Sequence, residues 1–192
     1  MILLALLGCH PGVTSEREAE LVYVGFDEGI SRALDLGLQG FAMAGSANLD
    51  PQSAPGDAAG TMTVNGQADQ GSSDNKGLRL EVTLVDYADL TDVDVDGDDD
   101  IYVAYDTEDG APLDVDLQLR DMPDGTLTGT LAGTAFLSGD LEGPAAFALS
   151  LEGETETDPD RPDHLRRVAG STRVTGTVTG PHGEDYSVDL VR

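Results

Sequence analysis

Residues 113–131 read LDVDLQLRDMPDGTLTGTL, and their pattern indicates what kind of secondary structure the chain forms. Apolar and polar residues alternate over 113–119, and the same period of two resumes over 126–131. Between the two halves stands Pro123-Asp124-Gly125, which is typical of a tight turn. Because successive side chains of a strand point to opposite faces, this pattern predicts an antiparallel hairpin with one face buried.

The same period of two recurs on both sides of this hairpin. The apolar positions of the further runs are Met62, Val64, Leu78, Leu80, Val82, Leu84, Ile101, Val103, Tyr105, Phe147, Leu149, Leu151, Val174, Val178, Tyr186, Val188 and Leu190. Turn sequences such as Gly143-Pro144 and Pro181-His182-Gly183 separate the later runs. We therefore predict about eight strands in one antiparallel sheet that is covered on one side.

A helical period appears before the strands, in residues 23–44. The residues that share one face at 100° per residue are Tyr23, Phe26, Ile30, Ala33, Leu34, Gly37, Phe41 and Ala44. We predict a helix from about Asp27 to Ala44, with Asp27 as its N-cap, and a loop over 48–60. Because the leucines of 34–38 also alternate, a strand is the alternative there. The predicted fold is mainly β (α+β), with one N-terminal helix packed on a curved antiparallel sheet or partly open barrel.

The composition narrows the range of functions. The chain has 192 residues, and ten basic residues stand against thirty-seven acidic ones, which gives a net charge of −27. This charge disfavours nucleic-acid partners, which need clustered Lys and Arg, and charge-driven docking to anionic lipid headgroups. A single Cys excludes an internal disulfide framework and any Cys-rich zinc site.

The only Cys ends an apolar run at the start of the chain. Residues 1–10 read MILLALLGCH, so Leu6 stands three positions before Cys9, and Gly8 stands directly before it. This pattern resembles the end of a bacterial lipoprotein signal peptide, with Leu7 as a looser match and without the usual basic residues ahead of the apolar run. In that family the Cys thiol receives a diacylglycerol group. The resemblance implies lipidation of Cys9 and a membrane partner reached through the lipid anchor.

The resemblance also implies a layout for the whole chain. Residues 1–8 would be the remnant of a signal peptide, 9–22 a tether and 23–192 a single helix-plus-sheet domain. In the sorting rule of the family, an Asp directly after the Cys retains a lipoprotein in the inner membrane. Because His10 is not Asp, the resemblance implies the outer membrane of a bacterial cell envelope. The alternative for this region is a buried N-terminal strand with an inert thiol.

A run of acids interrupts the predicted strands. Residues 92–100 read DVDVDGDDD, which matches D-x-D-x-D-G, the opening of a calcium loop. Asp92, Asp94 and Asp96 would supply carboxylates at positions 1, 3 and 5, and Asp100 would supply a water-bridged ligand at position 9. Position 12 lacks the expected Glu. The alternative is a solvated acidic hairpin loop.

The sequence offers poor candidates for catalysis. His10 lies in the predicted tether, His164 in a loop rich in Pro and Asp, and His182 in a turn. No Ser stands in a G-x-S-x-G frame, and the lone Cys is assigned to the lipid. We therefore expect a non-catalytic protein with no cofactor other than calcium.

A second acidic run lies further along the chain. It covers residues 152–160, and we interpret it as a solvated strand end. Three arginines follow and would offset its charge: Arg161, Arg166 and Arg167.

These patterns together predict a cell-envelope lipoprotein. We expect a non-catalytic binding or structural module whose ligand or protein partner the sequence does not identify. One alternative is a carrier that holds an apolar ligand between the helix and the sheet. Another alternative is a calcium-dependent adhesion module that acts through residues 92–100.

Overall fold

The computed structural model describes residues 12–95, 97 and 101–192. Within these ranges one helix, α1 (Glu16–Met43), precedes ten strands. The strands are β1 (Asn48–Pro55), β2 (Ala59–Ala68), β3 (Lys76–Ala88), β4 (Val103–Asp106), β5 (Leu113–Arg120), β6 (Gly125–Gly139), β7 (Gly143–Thr157), β8 (Leu165–Arg167), β9 (Arg173–Thr179) and β10 (Asp185–Val191). The predicted fold class, a helix with a large antiparallel sheet, is therefore confirmed.

The strands form one antiparallel sheet that curves into a partial barrel. Its order is β1-β2-β3-β4-β6-β7-β9-β10, and β8 pairs with the end of β7. Two short strands, β4 and β5, share the position between β3 and β6 in the sheet. Each of them pairs with a different part of β3 and of β6. The eight predicted runs all form strands, and the two strands that the prediction lacked are β1 and β8.

The segment 48–60, predicted as a loop, contains the edge strand β1. Its pairing with β2 runs from Asn48 opposite Gln67 to Pro55 opposite Thr61, and it is irregular between Leu49 and Gln52. Proline is tolerated in an edge strand because its missing N–H can face away from the partner. The loop prediction was wrong because it took the prolines as chain breakers when they mark an edge.

The helix begins at Glu16 instead of Asp27 because a capping box starts it. The Oγ of Ser15 accepts a hydrogen bond from the N–H of Glu18 at 3.2 Å, and the Glu18 carboxylate accepts one from the N–H of Thr14 at 2.7 Å. Asp27 is therefore not the N-cap. Residues 16–22 of the predicted tether belong to the helix, so the boundary at residue 22 was also wrong.

The helix lies against the inner face of the sheet, where it contacts β1 and β2 on one side and β10 on the other. All residues of its predicted apolar face are buried except Phe41 and Ala44, which are half-buried. The ring of Phe26 on this apolar face packs against three aromatic rings of the sheet. The distances between ring centroids are 6.3 Å to Tyr87, 5.5 Å to Tyr105 and 6.1 Å to Phe147. These rings fill the space between the helix and the sheet.

One glycine allows the closest approach of the helix to the sheet. The hydroxyl of Tyr105 on β4 donates to the carbonyl of Val22 at 2.7 Å, within the helix. A Cβ atom at Gly25 would collide with that hydroxyl. Any larger residue at position 25 would therefore push α1 away from β4.

Two excursions of the chain pack on other parts of the helix. Residues 89–102, between β3 and β4, place Val93 against Leu21 and Val24. Residues 158–172, between β7 and β9, carry β8 and bring three arginines to the middle of α1. The second excursion builds the most charged site in the described structure.

Candidate functional site

The predicted lipidation site lies just ahead of the described residues. Cys9 is outside them, and Gly12 and Val13 are the first two that are described. Both are buried. A Cβ atom at Gly12 would meet the carbonyl oxygen of Glu142 and the ring of Pro181, so the chain joins the body between the β6–β7 and β9–β10 turns.

The predicted calcium ligands are described only in part. Asp92 and Asp94 lie in the described structure, whereas Asp96 and Asp100 lie outside it. An antiparallel bridge joins Val93 to Ile101, so the two ends of the acidic stretch lie side by side. The Asp94 carboxylate accepts a hydrogen bond from the N–H of Gly97 at 2.7 Å. Within the described ranges, no group of three or more His, Cys, Asp or Glu side chains is placed to hold a metal ion.

A buried ion pair joins the middle of α1 to β8. Asp27 and Arg167 have side chains that are only 7% and 8% exposed, and Nη1 of Arg167 donates to Oδ1 of Asp27 at 2.9 Å. The same guanidinium donates to the Asp27 carbonyl at 2.8 Å and to Oγ of Ser31 at 3.0 Å. The Tyr23 hydroxyl donates to Oδ1 of Asp27 at 2.7 Å. The carboxylate is thus stabilised by hydrogen bonds from two elements of the fold.

The environment of this pair shifts the pKa values of both donors. Burial raises the pKa of the Tyr23 phenol far above its ordinary value, and the negative charge of Asp27 raises it further. Burial alone would lower the pKa of Arg167, but the hydrogen bond and charge of Asp27 leave it raised. Tyr23 therefore stays a neutral donor and Arg167 a cation throughout the physiological range.

A second group of charges extends this site along the helix. Asp35 accepts from Nη1 of Arg161 at 3.1 Å and lies 2.5 Å from Nδ1 of His164. Nε of Arg161 donates to Asp158 at 2.9 Å. The backbone N–H of Asp160 and the Arg161 guanidinium together lower the pKa of Asp158. These contacts tie the excursion of residues 158–172 to α1.

The end of β10 completes the site. Thr172 and Arg192 exchange two backbone hydrogen bonds of 2.9 and 2.8 Å, which hold Arg192 beside the helix. Nε of Arg192 lies 3.7 Å from Oδ2 of Asp27. Thr172 is fully buried, and its Oγ1 is the one buried side-chain polar atom of the described residues without a hydrogen-bond partner.

These groups surround an open cleft of about 650 Å³, which we call the arginine cleft. Its lining residues are Asp27, Glu28, Ser31, Asp158, Arg161, Arg166, Arg167, Val168, Ala169, Gly170, Thr172, Val191 and Arg192. A smaller cleft of about 170 Å³ adjoins it and is lined in part by Arg32 and Asp35. Four of the nine arginines of the chain therefore face one cleft.

Sequence reasoning located some of these residues but not the cleft. It predicted that Arg161, Arg166 and Arg167 offset the preceding acidic run, and Arg166 does pair with Glu156 at 2.6 Å. It missed that Arg167 crosses to the helix. The signal was an Asp in the middle of an apolar helical face, because a buried carboxylate requires a cation or hydrogen-bond donors.

A second Tyr–Asp–Arg network fixes the helix to β3. Asp89 is buried and accepts a very short hydrogen bond from the hydroxyl of Tyr87. Arg32 on α1 donates to that same hydroxyl and to Asp89, both at 2.9 Å. It also pairs with the exposed Asp57 at 2.9 Å. Burial raises the pKa of Tyr87, and the hydrogen bond to Asp89 adds to this effect.

The solvent side of the sheet carries two shallow grooves. Their volumes are about 480 and 790 Å³, and polar side chains dominate both linings. The lining of the first groove includes one row of residues from four neighbouring strands: Asp116, Thr130, Ser150 and Thr175. This surface is polar and lacks the converging arginines of the arginine cleft.

Comparisons with protein-family models, with curated proteins and with solved structures found no match to this chain. None of the described residues forms a helix with both the length and the apolar character needed to cross a bilayer.

Proposed function

We propose that this chain is a lipid-anchored module of a bacterial cell envelope, attached through Cys9 and without catalytic activity. The observation that carries the proposal is the sequence Leu6-Leu7-Gly8-Cys9 close ahead of the folded body. The thiol would accept a diacylglycerol group, and His10 favours sorting to the outer membrane.

The short distance between the anchor and the body supports a defined orientation. Gly12, which is already buried, follows Cys9 by only three residues. Three residues span at most about 10 Å, since an extended chain advances by roughly 3.3–3.6 Å per residue. A lipid on Cys9 would therefore hold the body with its β6–β7 and β9–β10 turns towards the bilayer.

The charges of these turns explain why a lipid would be required. Asp140, Glu142 and Glu184 belong to this end of the body, and an anionic headgroup layer repels them. Electrostatic attraction would thus not bring this end to a membrane. A covalent acyl anchor supplies the missing affinity.

The filled interior favours a surface role over an apolar-ligand carrier. Phe26, Tyr87 and Tyr105 are fully buried, and the Phe26 ring packs against both tyrosine rings where such a ligand would sit. A carrier would need the helix to move away from the sheet. We therefore propose that binding takes place on the outside of the body.

Mass spectrometry of the membrane fraction tests the anchor. We expect a mature chain that begins at Cys9 and carries acyl groups, and we expect a Cys9→Ser variant to be unprocessed and free of them. A His10→Asp variant serves as the matched control, because it keeps the lipid and should move the protein to the inner-membrane fraction. An unmodified Cys9 thiol in membranes of the producing bacterium would refute the proposal.

Calcium-dependent adhesion through residues 92–100 is a second candidate function. The observation in its favour is the Val93–Ile101 bridge, which brings the two ends of the acidic stretch side by side. Extracellular calcium modules bind at about 10⁻⁴–10⁻³ M. Calorimetry should show saturable calcium binding in this range, and the Asp94→Ala/Asp96→Ala variant should lose it. Equal heats from both proteins would dismiss this candidate.

A further inference from the structure

We propose that the arginine cleft binds a phosphate group carried on a small organic molecule. The first argument is the distribution of charge. Across the whole chain acids outnumber basic residues by thirty-seven to ten. In the two adjoining clefts the ratio is reversed, because five arginines and four acids line them. The rest of the surface repels an anion, and this region repels it much less.

The second argument is the supply of hydrogen-bond donors. A guanidinium has five N–H groups, and the described contacts use only part of them. Arg161 donates through Nε and Nη1, and Arg166 through Nε and Nη2. Four terminal guanidinium nitrogens donate to no other residue within the described structure: Nη2 of Arg161, Nη1 of Arg166 and both Nη atoms of Arg192. Guanidinium groups of this kind match phosphate oxygens well.

The third argument is that the site is held in place before a ligand arrives. Arg167 lies at the base of the cleft with its bonds to Asp27 and Ser31 complete. These bonds hold the Arg167 guanidinium at the base of the cleft. The Asp27 carboxylate already accepts hydrogen bonds from Arg167 and Tyr23. Asp158 is likewise occupied by Arg161. An entering phosphate therefore meets arginine donors in a fixed frame, which reduces the entropy cost of binding.

The fourth argument is size. A cleft of about 650 Å³ lies within the usual range of roughly 300–1,000 Å³ for small-molecule sites and is much larger than inorganic phosphate. Val168, Ala169 and Val191 supply apolar lining beside the arginines. This combination fits a phosphate monoester with a short organic part. A nucleic acid is excluded by the charge of the surrounding surface, which repels a long polyanion.

Calorimetric titration of the full chain with glycerol 3-phosphate tests the proposal, with glycerol as the uncharged control ligand. We expect saturable binding of glycerol 3-phosphate and none of glycerol. The Arg161→Gln/Arg166→Gln variant should bind roughly tenfold or more weakly, because each lost charge-assisted hydrogen bond weakens binding. Both side chains are about half exposed, at 52% and 45%, so the fold should survive their replacement.

An arginine outside the cleft provides the matched control variant. Arg173 pairs with Asp189 on the solvent side of the sheet and is 60% exposed. Arg173→Gln lowers the net charge by one unit, as each of the two cleft substitutions does, and should leave the affinity unchanged. Absence of saturable binding by the unmodified sequence would overturn the proposal. An equal loss in Arg173→Gln would overturn it too, because the binding would then reflect net charge alone.

A vesicle experiment separates the two sources of such a phosphate. The Cys9→Ser chain, which lacks the lipid, is mixed with vesicles that contain phosphatidic acid, whose headgroup is a phosphate monoester, or with vesicles of phosphatidylcholine alone, and floated. Binding only to the phosphatidic acid vesicles, lost in Arg161→Gln/Arg166→Gln, would identify the ligand as a lipid headgroup. No flotation together with saturable glycerol 3-phosphate binding would identify a free phosphate ester.

Discussion

The two Tyr–Asp–Arg networks that fix α1 share their chemistry but differ in their access to water. In the first, Tyr23 and Asp27 are buried, and the side chains of Asp27 and Arg167 are each less than 10% exposed. In the second, Asp89 is 1% exposed, but the side chain of Arg32 is 22% exposed and also pairs with Asp57. The buried Asp27 carboxylate is thus held mainly by one buried cation, with Arg192 at the longer distance of 3.7 Å, whereas Asp89 shares a cation that water already reaches.

This difference has a bearing on function. The first network also forms the wall of the arginine cleft, so its rigidity determines how the donors are placed. The second network fixes the helix to Tyr87 on β3 and contributes Arg32 to the smaller adjoining cleft. Variants that break each network separately should therefore differ in size of effect.

The largest effect is expected from Arg167→Met. This change keeps the apolar stem of the side chain but leaves the buried Asp27 with only Arg192, 3.7 Å away, as a cation. Loss of the closer partner should cost about 3–5 kcal/mol of unfolding free energy. Urea denaturation followed by circular dichroism measures the loss. Arg173→Gln serves as the control, because an exposed pair contributes only about 0–1 kcal/mol. A loss in Arg167→Met no larger than in the control would contradict the buried-pair account.

A smaller loss is expected from Asp89→Asn. The amide keeps the shape and can still accept a hydrogen bond from Tyr87, while Arg32 retains Asp57 and its contact with water. We expect a loss of about 1–3 kcal/mol, since a charged hydrogen-bond acceptor becomes neutral. The same denaturation experiment checks this value. If Asp89→Asn proves more damaging than Arg167→Met, the ranking of the two networks is wrong.

The smallest effect at neutral pH is expected from Tyr23→Phe and Tyr87→Phe. Each variant removes one hydroxyl donor and should lose roughly 1 kcal/mol. Because burial raises the pKa of both phenols in the folded state, the unfolded chain releases these protons first as the pH rises past about 10. The stability that each neutral buried phenol contributes is therefore fully present below about pH 10 and is lost as the pH rises above it.

Denaturation at a series of alkaline pH values measures this dependence. Each Tyr→Phe variant should lose stability less steeply above pH 10 than the unmodified sequence does, because one titrating group is gone. Identical slopes in the unmodified chain and in both variants would show that these phenols already ionise in the folded state.

Much of the fold could be predicted from the sequence because local patterns determine it. The alternation of residues 113–119 required one buried face, and every apolar residue of that run is buried. The prediction of element boundaries failed where one sequence feature is compatible with two kinds of structure. Pro51 and Pro55 suggested a loop but stand in an edge strand, and the Ser15–Glu18 capping box was overlooked in a segment whose polar residues suggested a tether.

The site was less predictable because it depends on contacts between distant residues. Asp27 and Arg167 are 140 positions apart, and no local period connects them. Cys9 and the four acidic loop ligands, Asp92, Asp94, Asp96 and Asp100, were identified by short motifs, and those assignments stay predictions. By contrast, a charged residue on an apolar helical face was visible in the sequence and should have indicated a buried partner.

Hydrogen–deuterium exchange of the amides in α1 is the most direct test of the claim that the helix is a fixed part of the interior. If the two networks hold it in place, the amides of residues 21–36 should exchange only through global unfolding, with the same free energy as the core of β6 and β7. If those amides exchange by local opening while β6 and β7 remain protected, the helix is a lid, and the interior is open to a ligand after all.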